Sequence, residues 1–412
     1  MDATALSPVY LSTFGLRREP SRPPQDREPG YERSYDFDTL FYDVFLAHDG
    51  RSITAISPPL LNCESAVLSA EFRLTSDGEA LHADHVMHKH GSMVLRLSLP
   101  SDIAPTSMHV TLNGISTTVT VSPSGCRQFV DRKVVYTMLK DEPLHWIADW
   151  ATYNVRVHGA DSVLIYDNGS TQYSVADLQR ALGAVDGLQA VAIVRWTFPY
   201  GPGVGPNGEW DSNYCQARAL EHARWRFCRT ARAFLNSDVD ELVVTATGQS
   251  VFERLASSDS PCLTYAGRWV SVMRPRWRAH ASLIDYRTGT DINHSDCLYV
   301  EDEPPYQNKW IADPRACGSQ GEWQTHTVLG MSGAGANAAF ELKPTAADVE
   351  FRHCRQISTG WKYDRTGMPR LRAGTVFDWP FARACAHAFP HRRIFRNSGG
   401  PLRRFVDYLK QF

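Results

Sequence analysis

The 412-residue chain has no Cys-x-x-Cys pair, no apolar run of about 18 residues, no strong charge of either sign and no internal repeat. Each absence excludes something. The nine cysteines are odd in number and scattered, so they make neither a disulfide framework nor a zinc ribbon; they fit a reducing compartment. Without a long apolar run, no helix is expected to span a membrane. A formal net charge of −2 creates no global field for nucleic acid, so no nucleic-acid partner is expected. The stretch Met1-Asp2-Ala3-Thr4-Ala5-Leu6 has no basic or strongly apolar character, so no secretory signal is expected and the cytoplasm is the expected location. What is present is ordinary for a folded protein: 43% hydrophobic and 21% charged residues, in a chain long enough for two or three domains.

Four regions separate by pattern. Residues 1–34 form an expected flexible segment, because 17–33 are rich in proline and charge. Residues 35–130 carry short alternating runs split by Asp49-Gly50, Asp77-Gly78 and Asn113-Gly114, which reads as a small antiparallel β-sandwich. His82, His85, His88 and His90 lie within it. Imidazoles at that density can bind Zn²⁺, but no ligand spacing is matched, so a polar turn between strands is the simpler reading. Residues 131–360 alternate strand and helix patterns, which predicts an α/β domain with a parallel sheet. Here Val134–Leu139, Val163–Tyr166, Leu188–Val194 and Ala233–Leu235 are the expected strands. Leu144–Val157, Tyr173–Leu182 and Trp210–Arg232 are the expected helices. Residues 361–412 are basic, and Pro401–Phe412 is amphipathic at helical spacing. That stretch either lies on an anionic membrane surface as a peripheral contact or docks on the catalytic domain.

The strand patterns end in polar bursts. Lys140-Asp141-Glu142 follows the first, Asp167-Asn168-Gly169-Ser170 the second, and Asp238-Val239-Asp240-Glu241 the fourth. In a parallel sheet these loops emerge at one edge, where ligands of open α/β sheets bind. Asp238 and Asp240 are two apart, so an extended segment would point both to one side. Like charges so placed call for a cation, and hard oxygen ligands suit Mg²⁺ or Mn²⁺. Gly201–Gly208 is not a dinucleotide fingerprint, because Pro202 and Pro206 block the turn into a helix; it reads as a mobile loop beside the cleft, a candidate lid.

In order and spacing these motifs resemble glycosyltransferases of the GT-A (Rossmann-like) fold, and among them glycosyltransferase family 92 (DUF23-like) and its bacterial relatives. The resemblance rests on Leu139-Lys140-Asp141-Glu142, Trp146 and Trp150, Tyr166-Asp167-Asn168-Gly169-Ser170 and Asp238-Val239-Asp240-Glu241. It extends over residues 131–354, and Asp141 stands where the family has Asn. It implies transfer of a sugar, galactose by family habit, from a nucleotide diphosphate donor, UDP by the same habit, to a glycan or glycolipid acceptor in polysaccharide biosynthesis. It implies that Lys140, Glu142, Asp167 and Asn168 bind the nucleotide, that Asp238 and Asp240 hold Mn²⁺ or Mg²⁺ against the donor, and that His326 completes the metal shell. Lys309 would neutralise diphosphate oxygens.

If the transfer inverts the anomeric centre, the acceptor hydroxyl needs a carboxylate base. Glu322 is the first candidate and Asp285 and Asp211 the next; an ordinary surface carboxylate is the competing reading for each. Trp210, Trp269 and Trp323 are either sugar-stacking or core residues. Two other functions share the motif. A haloacid-dehalogenase-like phosphatase would use Asp238 as nucleophile, although Glu241 follows where Thr or Val is usual. A non-catalytic glycan-binding protein would have no need of an intact acidic pair.

Overall fold

The computed structural model describes residues 3–87, 93–100, 103–208, 210–272, 292–301, 303–331, 345–360 and 375–392. The fold is mixed α/β. Four parallel strands lie side by side in the order Ala190–Arg195, Ser162–Asp167, Lys133–Leu139, Ala233–Asn236. They are continuous apolar runs because both faces are covered; Ser162–Asp167 is buried along its whole length. Leu144–His158 covers one face with Trp146, Ile147, Trp150 and Tyr153, and ends on Gly159 in the left-handed conformation (φ 69°) that a helix C-cap favours. Val175–Gly183 opens on a capping box between Ser174 and Asp177.

Beyond Ala233–Asn236 the sheet changes direction. Tyr306–Ala312 pairs with it antiparallel, and Cys262–Ser271 pairs antiparallel with Tyr306–Ala312. Val349–Cys354 then runs parallel to Cys262–Ser271 and antiparallel to Glu241–Thr245. The sheet is therefore mixed rather than parallel throughout. Cys262–Ser271 is one ten-residue strand that continues through Gly267. A Cβ at Gly267 would sit 2.2 Å from the Phe351 ring, so only glycine lets the Phe351 strand pack there. The long helix expected from Trp210 is shorter. It begins at Cys215 and continues as a π-helical segment, Ala223–Cys228. Residues before Cys215 are engaged elsewhere: Asp211 and Ser212 bond to Arg22 and Tyr31.

The region before residue 131 forms three antiparallel sheets, of two, four and three strands, over one core that includes Val44, Ile53, Phe72, Leu95, Met108 and Val110. Asn113 (φ 53°) and Gly114 (φ 74°) make the two-residue turn between Ser107–Leu112 and Ile115–Thr120, as a hairpin of this twist requires. Of the four histidines above, His88 and His90 lie outside the described residues, as does the His85 side chain; His82 is exposed. Segment 17–33, read above as flexible, carries two buried arginines. Arg18 donates to the carbonyls of Asp36, Thr39 and Pro59. Arg22 clasps Asp211 at 2.6 Å and Glu28 at 2.5 Å. Proline and charge here serve fixed contacts, which composition does not distinguish from solvation. All nine cysteines are buried.

His158, fully buried at the end of its helix, yields a pH prediction. Its Nε2 lies 2.9 Å from the Val243 carbonyl and its Nδ1 3.2 Å from the Val251 amide. The neutral ring satisfies both by donating from Nε2 and accepting at Nδ1; a second proton would face the Val251 N–H. Burial pulls its pKa down to about 4, with the Val243 bond opposing. The folded pKa is thus below the unfolded value, so the unfolded chain binds the proton first as pH falls. The contribution is full above about pH 6.5 and is lost progressively toward pH 4, by about 3 kcal/mol. Urea denaturation of His158→Gln between pH 4 and 7 should show a flatter pH dependence than wild type; an unchanged slope would remove His158 as its source.

Candidate functional site

The parallel strands end at one edge. Leu139 is in register with Asp167, Asp167 with Arg195, and Tyr136 with Asn236. Two groups of polar residues form there.

The first joins the loops after three strands. Asp141 takes a left-handed backbone (φ 54°), its amide donates to Ser170 Oγ at 2.8 Å, and its carboxylate accepts from the amides of Thr171 (2.6 Å) and Gln172 (2.9 Å). Asp167 accepts from the Ser170 amide at 2.8 Å and pairs with Arg195 at 3.2 Å. Asn168 donates to the carbonyls of Trp196 (2.7 Å) and Phe198 (2.9 Å). Lys140 and Glu142 are half-buried beside them. Asp167 and Asn168 thereby brace this edge, and Arg195, which sequence reasoning did not single out, supplies its cation.

The second group lies at the end of Ala233–Asn236. Residues Ser237–Glu241 are not extended. The Glu241 amide donates to the Asp238 carbonyl at 3.0 Å, and the Asp238 amide to Glu241 Oε2 at 3.1 Å. This is a tight turn, so the period-two rule does not govern Asp238 and Asp240. Asp238 meets Lys309 Nζ at 3.0 Å, and the same ammonium lies 3.0 Å from Glu241 Oε2. Asp240 Oδ2 lies 2.7 Å from His353 Nε2. Asp240, Glu241 and His353 each offer a ligand atom, all within 4.8 Å of one another. Two carboxylate oxygens and one imidazole nitrogen fit a divalent ion of intermediate softness such as Mn²⁺.

The electrostatics of the group are set by burial. Lys309 is 1% exposed. Burial disfavours its charge, but Asp238 and Glu241 more than offset that and its pKa is raised. Burial pushes the Glu241 carboxyl up, Lys309 opposes this, and Asp238 adds to it. Lys309 as an ionised clasp is the direction both groups support.

The remaining sequence-derived residues are dispersed. His326 Nδ1 lies 2.9 Å from the Asn308 carbonyl, next to Lys309, and the neighbouring Thr325 carbonyl accepts from Asn236 at 2.9 Å. It therefore stands by the same strand end but outside the three-residue group; the histidine beside Asp240 and Glu241 is His353, 27 residues later in the chain. No spacing rule marked His353, which stands in the mixed polar and apolar stretch Val349-Glu350-Phe351-Arg352-His353-Cys354. Glu322 is buried and bonded to Arg218 at 2.9 Å and to Gln324 at 3.1 Å, so it is enclosed rather than presented to an acceptor. Asp211 secures Arg22 in the N-terminal segment. Asp285 lies outside the described residues. Trp323 is core, Trp210 is 46% exposed, and half-buried Trp269 stacks on His353 at 4.0 Å. The glycine-rich loop is held by the N-terminal segment: Gly203 bonds to Arg22 and Glu28, and Gly201 to Ser34.

No protein-family model and no curated protein matches the chain. Among solved structures it is similar to one described as a WbbM bifunctional glycosyltransferase in the apo state, with a TM-score of 0.24 and 12% identity over 39% of this chain and 26% of that one. The chain thus spans about a quarter of that structure, and the likeness is too slight for a property of that protein to be carried to this one. Among the described residues no helix is long and apolar enough to cross a membrane. The amphipathic stretch 401–412 lies outside them.

Proposed function

We propose that the chain is a divalent-cation-dependent glycosyltransferase that takes a sugar from a nucleotide diphosphate donor, UDP-linked in the simplest case, to a glycan or glycolipid acceptor. The observation that carries this reading is the grouping of Asp240, Glu241 and His353 within 4.8 Å at the carboxyl edge of a parallel half-sheet. In such sheets the edge is the ligand side, and the braced loops at Asp141, Asp167 and Asn168 offer a floor for base and ribose. Asp240, Glu241 and His353 would hold Mn²⁺, or less readily Mg²⁺. When bound, that ion supplies Lewis-acid stabilisation of the leaving diphosphate. Asp238 and Lys309 belong to the same site, Lys309 as the cation that Asp238 and Glu241 share at 3.0 Å in the absence of metal.

Titration calorimetry of UDP with and without Mn²⁺ tests the proposal. Wild type should bind UDP in a metal-dependent way. Asp240→Ala should lose at least tenfold of that affinity, because it removes a direct ligand. A folded wild type that binds no UDP, GDP or CDP under either condition sinks the reading. Phosphomonoester hydrolysis abolished in Asp238→Asn would then favour the phosphatase.

A further inference from the structure

His353 is held by partners drawn from three strands. Its backbone is in register with Glu241 on one side and Trp269 on the other. Its ring stacks on Trp269 at 4.0 Å, and Tyr306 stacks on the same indole at 4.9 Å with the planes 6° apart. The Tyr306 hydroxyl contacts His353 Nδ1, while Nε2 faces Asp240 at 2.7 Å. Arg355 caps Trp269 at 4.3 Å and is itself fixed by Glu301.

The chemistry of these contacts is restrictive. An ionised carboxylate only accepts, so a neutral His353 facing Asp240 carries its proton on Nε2, and Nδ1 must then accept from Tyr306 O–H. Ligation of a metal through Nε2 needs the opposite tautomer, with the proton on Nδ1 donating to the Tyr306 oxygen. A backbone carbonyl at this place would permit one tautomer only, as the Asn308 carbonyl does for His326. A hydroxyl serves both, because it donates and accepts.

The geometry points to Tyr306 as a positioning residue that lets His353 change from hydrogen-bond donor of Asp240 to metal ligand without moving its ring. The inference rests on the metal reading of Asp240, Glu241 and His353 given above. The proton balance is closed: one proton leaves Nε2 to water, one arrives at Nδ1 from water, and the Tyr306 hydrogen rotates. The Trp269 stack keeps the ring plane constant throughout.

Two measurements test this. The first is Mn²⁺ titration of Tyr306→Phe, which keeps the stack and deletes the hydroxyl. Affinity should fall about ten- to hundredfold, as for other partners of metal-bound histidines, and a wild-type affinity would overturn the proposal. The second needs no loss of a side chain. Histidine ¹⁵N spectra of the wild type, with the His353 signal assigned from His353→Gln, should show the Nε2–H tautomer without metal and Nδ1–H with the diamagnetic ion Zn²⁺. The Nδ1–H form already present without metal would overturn it. A wild type that binds neither Mn²⁺ nor Zn²⁺ would remove the metal reading itself, and this inference with it. Binding that is indifferent to Tyr306 removes this inference alone.

Discussion

Replacing Lys309 by methionine is expected to cost the metal-free protein roughly 3–5 kcal/mol, the usual penalty for stripping one partner from a buried ion pair. Lys309 is 1% exposed and lies 3.0 Å from both Asp238 and Glu241. Methionine preserves much of the aliphatic stem but no charge. Glu241, buried and already pushed up by burial, would face Asp238 and Asp240 without a counter-ion. The same change should make Mn²⁺ more stabilising than it is for the wild type. Two carboxylates freed from the ammonium raise the local demand for a cation, and a ligand that binds only the folded state stabilises it more the further its concentration exceeds its dissociation constant. Urea denaturation with and without Mn²⁺ separates the two effects. The prediction fails if Lys309→Met matches wild type without metal, or if Mn²⁺ stabilises the variant less than the wild type. The latter result would mean that Lys309 supports the metal group instead of competing for Glu241.

Asp43→Ala should have a comparable effect far from the sheet edge, again about 3–5 kcal/mol. Asp43 belongs to the N-terminal β region, yet its carboxylate is wholly buried against the helical segment of the α/β domain. It accepts from His222 Nε2 at 2.8 Å, from Arg226 and from the Ser7 amide at 2.7 Å. His222 Nδ1 in turn meets the Tyr166 hydroxyl at 2.6 Å, one residue before Asp167. Alanine would leave the Arg226 guanidinium, 2% exposed, without its carboxylate. Asp43→Asn keeps the shape and an acceptor, so a smaller loss there would assign the difference to charge. Equal, near-zero losses from both substitutions in chemical denaturation would show that the two regions do not depend on this junction. A large loss would mean that the β region is a structural part of the α/β fold and not a detachable module.

Much of this protein was legible in its sequence, and the reason is local. Val134–Leu139 and Val163–Tyr166 read as buried strands because uninterrupted apolar runs have few other uses. Leu144–Val157 read as a helix because Trp146, Ile147 and Trp150 repeat with its period, and the structure ends that helix on Gly159. Asn113-Gly114 specified its turn through two residues that tolerate positive φ. The polar bursts after the strands marked one edge of the sheet, since parallel order alone places strand ends together.

Other features were decided only by tertiary contact. Tyr306–Ala312 could not be seen as the antiparallel neighbour of Ala233–Asn236, because pairing direction is set by the path of the intervening chain and not by side-chain pattern. The turn at Ser237–Glu241 is closed by one backbone bond and by the Asp238 amide donating to the Glu241 carboxylate, and neither bond gives a compositional signal. Lys309 and His353 lie 71 and 113 residues from the carboxylates they meet, and a lysine or histidine in a strand looks the same in sequence whether it is paired or solvated. Local sequence thus determined the elements and the edge where the chemistry gathers. The folded chain decided which charges face one another there, because partner choice is a matter of distance across strands that sequence separation does not encode.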